Sequence, residues 1–501
     1  MAAGSHTSAE SLAPTGTSGL DEVVLGGLAR GHLYLIEGTP GSGKTTMALK
    51  FVLEGVRTGE RSLYITLSET ERELHKIARS HGWSLDGLTI LELMPLEADP
   101  DQQQAMIHPS EVEFDQTINL VMEKVREIGP DRLVIDALTE LRLLAQDMLS
   151  YRRQMLALKR FLAERESTVL ALDDLTETNP GLQLHSIVHG VISLEQRRME
   201  YGIVRRRLSV VKLRGVDYRS GYHDYMIRTG GVAVFPSLQA AEHQLGFLPD
   251  TSSSGLDSLD ELLGGGLRRG TSTLLIGPSG VGKSSLALKY AMAAADRGEY
   301  AAVFAFDESW RTAVERARGL GMDLAAARTS GRLWWEQASP TTLSPGEFVD
   351  KVQRKVDEGA QIIVIDSLNS YMASMPGEEA LTLHMHELLA YLGNRGIVTI
   401  LVMAQHGLVG NTEAPLDLSF LADGIVLLRY FEAAGEVRKA ISVLKSRSGL
   451  HETTIREYRL TAEDGVSVGP PIRSFHGVLS GVPSFVGDTR SLTGVYDEQV
   501  R

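Results

Sequence analysis

The chain of 501 residues has no cysteine, so disulfides and thiolate metal sites are excluded and the sequence suits a reducing cytosol. Long apolar runs are missing too. Stretches such as Ile397 to Met403 are strand-length, far short of the roughly 20 residues a membrane helix needs. Met1 to Thr17 is rich in Ala, Ser, Thr and Gly, without the basic start and apolar core of a secretory signal. A cytoplasmic location without a membrane partner is expected. Positive charge is also short: 50 Lys and Arg against 64 Asp and Glu give a net charge of −14. A general nucleic-acid binder carries a basic face. Here the basic clusters are local, Arg197-Arg198 and Arg205-Arg206-Arg207. They read as a solvated hairpin or a subunit edge, and nucleic acid is not an expected partner.

Hydrophobic residues are plentiful at 43%, enough for large cores, and the length suggests about two to four domains. The chain also repeats itself. GLDEVVLGGLARGHLYLIEGTPGSGKTTMALKF from Gly19 parallels GLDSLDELLGGGLRRGTSTLLIGPSGVGKSSLALKY from Gly255. Lys44 and Lys283 stand 239 apart, as do Glu69 and Glu308; Asp136 and Asp366 stand 230 apart, and Lys212 and Lys445 stand 233 apart. Loop insertions or deletions of about ten residues account for that drift. The expected organisation is a flexible segment 1–16, a first domain 17–240, a linker 241–252, a second domain 253–475 and a tail 476–501.

Short apolar runs alternate with helical patterns in both halves. They are His32–Glu37, Ser62–Leu67, Arg132–Ile135 and Thr168–Leu172, then Ser272–Ile276, Ala301–Phe306, Gln361–Ile365 and Val398–Met403. Strands this apolar are buried on both faces, which implies an α/β fold with mostly parallel sheets between helical layers. Ser110-Glu-Val-Glu113 reads as a capping box opening a helix to about Ile128. Gly202–Gly215 and Gly424–Lys445 alternate more and read as antiparallel strands.

Two segments fit the phosphate-loop pattern. The first is Gly38-Thr39-Pro40-Gly41-Ser42-Gly43-Lys44-Thr45, followed by Thr46. The second is Gly277-Pro278-Ser279-Gly280-Val281-Gly282-Lys283-Ser284, followed by Ser285. Each lies between an apolar strand and a helical pattern. Glycines let successive N–H groups face phosphate oxygens, and a helix N-terminus adds positive potential. ATP and Mg²⁺ are the expected ligands. Lys44 and Lys283 are expected on the β- and γ-phosphates, Thr45 and Ser284 on the metal. Asp136 and Asp366 end buried strands and are expected in the Mg²⁺ shell; a helix N-cap is the alternative. Ser68-Glu69 and Asp307-Glu308 end the second strand of each half. Glu69, Asp307 and Glu308 are candidate catalytic carboxylates, with a solvated acidic turn as the alternative. Gln405 and His406 suit a γ-phosphate sensor or a turn equally. His185, His189, His384 and His386 have no metal-ligand companions and read as structural.

The ordered set TSGLDEV, SSGLDSL, LYITLSETERELHKIARSHGWSLDG, VFAFDESWRTAVERARGLGMDL, IDALTEL, IDSLNSY, KLRG and KSRSG resembles the KaiC-like family over about residues 14–475. The resemblance implies tandem RecA-like domains, ATPase activity and serine/threonine autokinase activity in a hexameric signalling or timing switch. It implies that Lys212, Arg214, Lys445 and Arg447 reach the nucleotide of a neighbouring subunit. In the family's phosphoacceptor segment Ser419 holds the serine position, and Phe420 stands where the threonine would be. Ser68 replaces a glutamate of the family's first-half pair, and the tail after Pro471 differs from the family's partner-binding tail. A DNA-binding motor and a nucleotide-gated scaffold with little turnover are the alternatives. No protein partner is named by these residues.

Overall fold

The computed structural model describes residues 12–93, 109–145, 147–175, 182–199, 202–244, 246–248, 250–339, 341–373, 381–405, 421–433, 435–447, 449–478 and 484–485. Two compact units divide between Ser237 and Leu238.

The first unit runs β1 (Leu33–Gly38), α1 (Lys44–Arg57), β2 (Ser62–Thr66), α2 (Glu71–Ser80), β3 (Thr89–Glu92), α3 (Pro109–Ile128), β4 (Arg132–Asp136), α4 (Leu138–Leu144), α5 (Met148–Ala163), β5 (Thr168–Asp174), β6 (Gly190–Arg197), β7 (Arg205–Leu213), β8 (Tyr222–Arg228) and β9 (Gly231–Phe235). They form one nine-stranded sheet in the order β3-β2-β4-β5-β1-β6-β7-β8-β9. The pairings from β3 through β6 are parallel, and β7, β8 and β9 extend the sheet antiparallel.

The second unit repeats this: β10 (Ser272–Gly277), α6 (Lys283–Asp296), β11 (Tyr300–Ala305), α7 (Trp310–Arg318), β12 (Leu333–Gln337), α8 (Pro345–Asp357), β13 (Ala360–Asp366), α9 (Leu381–Asn394), β14 (Val398–Ala404), β15 (Gly424–Ala433), β16 (Glu436–Ser446), β17 (Arg456–Thr461) and β18 (Gly465–Pro471). The order is β12-β11-β13-β14-β10-β15-β16-β17-β18. These are tandem RecA-like α/β domains, each a mostly parallel sheet flanked by helices.

The period of two in a strand explains the apolar runs. On one face of the first sheet Tyr34, Ile36, Tyr64, Val134 and Leu170 pack with Met47 and Phe51 of α1. On the other face Leu35, Leu63, Ile65, Leu133 and Val169 pack with Ile118 of α3 and Leu158 of α5. Each such side chain contributes about 1.5–3 kcal/mol on burial, so both faces of the central strands are built mainly of apolar residues. In β1, β2, β4 and β5 the charged residues lie at or next to the strand ends, and all four strands deliver their C-termini to the same edge. Parallel α/β sheets bind ligands along that edge.

Two stretches carry structure that the sequence announces only weakly. β3 is only partly buried, so its apolar signal is weak. Residues 240–243, at the start of the expected linker, form a short 3₁₀ turn. Its Ala240 carbonyl accepts from Asn394 Nδ2 at 2.8 Å, and His243 stacks edge-on against Tyr391 at 5.0 Å. Both partners lie on or beside α9 of the second unit. The helix expected from Ser110 runs from Pro109 to Ile128; the side chains of its first turn lie outside the described residues.

Candidate nucleotide sites

Each phosphate loop is the turn between the central strand of its sheet and the helix behind it. Gly41 and Gly43 have φ of 80° and 100°, and Gly280 and Gly282 have 76° and 111°. This left-handed backbone favours glycine. Space requires it as well: a Cβ on Gly43 would stand 2.8 Å from Ile227 Cδ1, and one on Gly282 would stand 2.6 Å from Leu460 Cδ1. Those neighbours lie on β8 and β17, so the antiparallel extensions wall in the loops. They also brace them. Tyr225 Oη donates to the Ser42 carbonyl at 2.6 Å, and Gln196 Nε2 donates to that of Pro40 at 2.8 Å. Tyr458 and Tyr430 donate to the carbonyls of Gly282 and Ser279 at 3.1 and 3.3 Å. Helices α1 and α6 begin at the loop lysines with glycine N-caps and no side-chain cap. Their first N–H groups are therefore left for an anion.

Lys44 Nζ donates to the carbonyls of Gly38 and Thr39 at 2.9 and 3.2 Å, and Lys283 to those of Gly277 and Pro278 at 2.9 and 2.7 Å. Thr45 Oγ1 donates to Asp136 Oδ2 at 2.9 Å, and Tyr64 Oη donates to the same oxygen at 2.5 Å. Ser284 likewise hydrogen-bonds Asp366. Burial pushes both aspartates above the usual carboxylate range, and these hydroxyls partly offset it. A hydroxyl touching a buried carboxylate at a helix start is the donor set that fits Mg²⁺, which takes one or two protein oxygens and completes its shell with phosphates and water. Among the described residues no group of three or more His, Asp or Glu could itself hold a metal. In the second unit these residues line a cavity of about 550 Å³ with Asp307, Glu308 and Arg316.

The sequence model of the KaiC ATPase family matches residues 13–239 and again 252–473. The chain belongs to the KaiC family of ATPases. It is 26% identical over 506 residues to the circadian clock protein KaiC3 of Synechocystis sp., covering 97% of both chains. It is 27% identical over 480 residues to the circadian clock oscillator protein KaiC of Thermostichus vulcanus, covering 94% of this chain and 91% of that one. The corresponding protein of Prochlorococcus marinus is 27% identical over 496 residues, covering 97% of each.

The two KaiC-type sites differ in their acids. In the first unit Glu69 follows β2. One of its carboxylate oxygens is buried without a hydrogen-bond partner, and its backbone is fixed by Thr66 Oγ1, which accepts from Glu69 N at 3.0 Å and donates to its carbonyl at 2.7 Å. Burial, then the charge of Asp136, pushes this carboxyl up to about 7. In the second unit both acids have hydrogen-bond partners. Asp307 Oδ2 accepts from Ser367 Oγ at 2.6 Å. Glu308 takes both of its oxygens to Arg316, at 3.0 Å from Nε and 2.6 Å from Nη2. Among the described residues Lys44 has an acidic partner that Lys283 lacks: Asp174, at the end of β5, pairs with it at 2.6 Å. The matching position on β14 is Ala404. Without such a partner, burial pulls the Lys283 amine down to about 8.

The remaining expected residues fall as follows. Lys212 Nζ donates to the carbonyls of His185 and Val188, Arg214 to that of Ser186 at 3.0 Å, and Lys445 to that of Ala422 at 2.8 Å. Both lysines thus tie down the turn that enters the first strand past the loop strand, β6 or β15. Arg447 is exposed. Gln405 N donates to the Gly277 carbonyl at 3.0 Å; His406, Ser419 and Phe420 lie outside the described residues. His185 Nε2 lies 2.8 Å from Glu37 Oε2, and His189 stacks on His32 at 3.8 Å. The sequence reading passed over Tyr64, Asp174 and Arg316. Arg316 and Asp174 leave a signal in the repeat, as charges opposite Ile77 at the offset of 239 and Ala404 at the offset of 230.

Proposed function

We propose that the protein binds MgATP at both loops, hydrolyses it at the first and uses the second for phosphoryl transfer, within a nucleotide-dependent ring of copies. The observation that carries this is the duplicated constellation of loop lysine, metal-type hydroxyl and buried aspartate, with a carboxylate at the end of the neighbouring strand. Lys44 or Lys283 would face the β- and γ-phosphates. Thr45 with Asp136, and Ser284 with Asp366, would hold Mg²⁺, which when bound neutralises charge developing on the phosphates. Glu69 in the first half, and Asp307 beside Glu308 in the second, would orient the attacking oxygen, with Glu69 or Asp307 accepting its proton. A cation reaching across a subunit seam can stabilise transition-state charge as an arginine finger does. Lys212, Arg214, Lys445 and Arg447 supply such cations in a hexamer, and that closed ring needs a heterologous interface. Ser419 is the proposed acceptor in the second half, and its phosphate would add about −1.5 to −2 charge at the seam. The clock proteins named among the relatives make a signalling or timing role the natural extension.

Incubation with γ-labelled ATP tests this. Labelled chain and released phosphate are both expected, with label lost in Ser419→Ala and phosphate release retained. Phosphate release without any label in the parent chain would leave an ATPase and remove the kinase. Sedimentation with and without ATP tests the ring: a monomer under both conditions removes it. A DNA-binding motor is disfavoured by the basic hairpin itself. Arg205 is buried at 8% exposure and Arg207 lies 3.8 Å from Asp224, so its charge is partly spent within the fold.

A further inference from the structure

Arg316 of the second cavity has no ionic counterpart in the first unit, where Ile77 holds its place. It stands two turns into α7, on the face turned toward the phosphate-loop helix. All three of its guanidinium nitrogens are engaged. Nε and Nη2 hold the two oxygens of Glu308, and Nη1 donates to Ser285 Oγ at 2.8 Å. Ser285 sits on the first turn of α6, beside the metal-type Ser284. The result is a three-part brace from the base of the phosphate-loop helix, through a guanidinium, to the carboxylate that ends β11. A bidentate Arg–carboxylate pair with a third anchor fixes both position and charge.

The repeat shows what the brace changes. At the offset of 239, Glu69 stands for Glu308 and Thr46 for Ser285, so the acid and the anchoring hydroxyl are both present in the first unit. Ile77 stands for Arg316 and packs against the apolar core. There the carboxylate has a buried oxygen with no partner. Two of three brace members are shared, and the missing one leaves the acid free.

We propose that Arg316 is a positioning residue that sequesters Glu308 and thereby suppresses water attack at the second site, keeping bound ATP for transfer to a hydroxyl. In hydrolysis a water oxygen bonds to the γ-phosphorus while the bridging bond to ADP breaks, and the water's proton passes to a carboxylate. A carboxylate with both oxygens on a guanidinium is a poor acceptor for that proton. Asp307, held through only one oxygen by Ser367, is left to receive the proton of an incoming hydroxyl instead. The inference rests on the functional reading above, in which both loops turn over ATP.

The test uses the full chain carrying Glu69→Gln, in which second-site turnover is the residual activity. Phosphate release is followed against ATP concentration and pH, alongside binding of a fluorescent ATP analogue. Arg316→Ile should raise kcat about tenfold or more while KM stays within about twofold. Arg316→Lys, which keeps the charge but loses the fork, should fall between. Adding Glu308→Gln to Arg316→Ile should abolish the gain, a reversal that loosened packing would not produce. An unchanged or lower kcat in Arg316→Ile with the analogue still bound overturns the proposal, as does a gain that survives Glu308→Gln. If the Glu69→Gln chain binds only as much analogue as a Lys283→Ala control, the second loop is no ATP site, and the functional reading falls with the proposal.

Discussion

The two halves share a fold, a strand order and a phosphate loop, yet their nucleotide sites carry different electrostatics. In the first, the acids crowd the loop: Asp174 occupies Lys44, and half-buried Glu69 keeps one carboxylate oxygen buried and unpartnered. In the second, Arg316 takes both oxygens of Glu308 and Ser367 donates to Asp307, while among the described residues Lys283 donates to carbonyls alone. The lesson is that duplication preserves the cradle, because glycines walled by Ile227 and Leu460 allow no substitute, and lets the reacting acids diverge. On the proposed reading, the cradle would bind the same phosphates in either half, and the fate of the γ-phosphate would follow from which carboxylate is free.

The largest expected effect breaks the comparison at its shared part. Lys44→Ala and Lys283→Ala should each remove one of two bound ATP molecules per chain, measured by nucleotide content of the purified protein; loss of both from either change would show that the sites are not separate. Next, Glu69→Gln should lower total hydrolysis on the order of a hundredfold, whereas Glu308→Gln in the parent chain should change it by no more than about twofold.

The halves also differ beneath the loops. Arg132 is fully buried, pairs with Glu60 at 2.5 Å and donates to the Pro14 and Phe51 carbonyls. Ile362 takes its place in the second unit. Removing one partner of a buried pair leaves an uncompensated charge, so Glu60→Ala should cost the first unit about 3–5 kcal/mol. Glu299, its counterpart, pairs with the part-exposed Arg269 and Arg297, and Glu299→Ala should cost about 1–2 kcal/mol. Two-step thermal unfolding by calorimetry would separate the units, and equal losses would contradict the contrast.

The smallest effect follows pH. Glu69 ionises near 7 in the folded chain against 4.5 in a model peptide. A carboxyl raised in this way contributes stability that is present below the unfolded value and lost as pH rises through the folded one. Relative to the parent, Glu69→Gln should therefore gain stability across pH 4.5 to 7 and hold a constant advantage above it. After screening, the gain is on the order of 1 kcal/mol, read as a shift in melting temperature of nucleotide-free protein. No gain at pH 8 would place the carboxylate in solvent.

Much of this was legible in the sequence because it depends on short-range signals. Buried parallel strands such as Arg132–Asp136 and Ala360–Asp366 announce themselves as apolar runs, and the phosphate loops as glycine spacing. β3, with exposed ends, and β8, with a polar outer face, carry weaker patterns, and β9 is only five residues long. The braces were hidden for another reason. Tyr64 to Asp136 spans 72 residues, and Tyr225 to Ser42 spans 183. Only the folded sheet makes those residues neighbours. Arg316 lies eight residues from Glu308, a separation that a turn and two helical turns convert into contact, so composition alone gave no reason to pair them.

The central claim is that the two sites turn over ATP unequally because a different carboxylate is free in each. Single-turnover hydrolysis of γ-labelled ATP, with two ATP loaded per chain, tests it most directly. The account predicts two phases in the parent, a fast one lost in Glu69→Gln and a slow one accelerated in Arg316→Ile. A single phase of full amplitude, slowed equally by Glu69→Gln and Glu308→Gln, would contradict it.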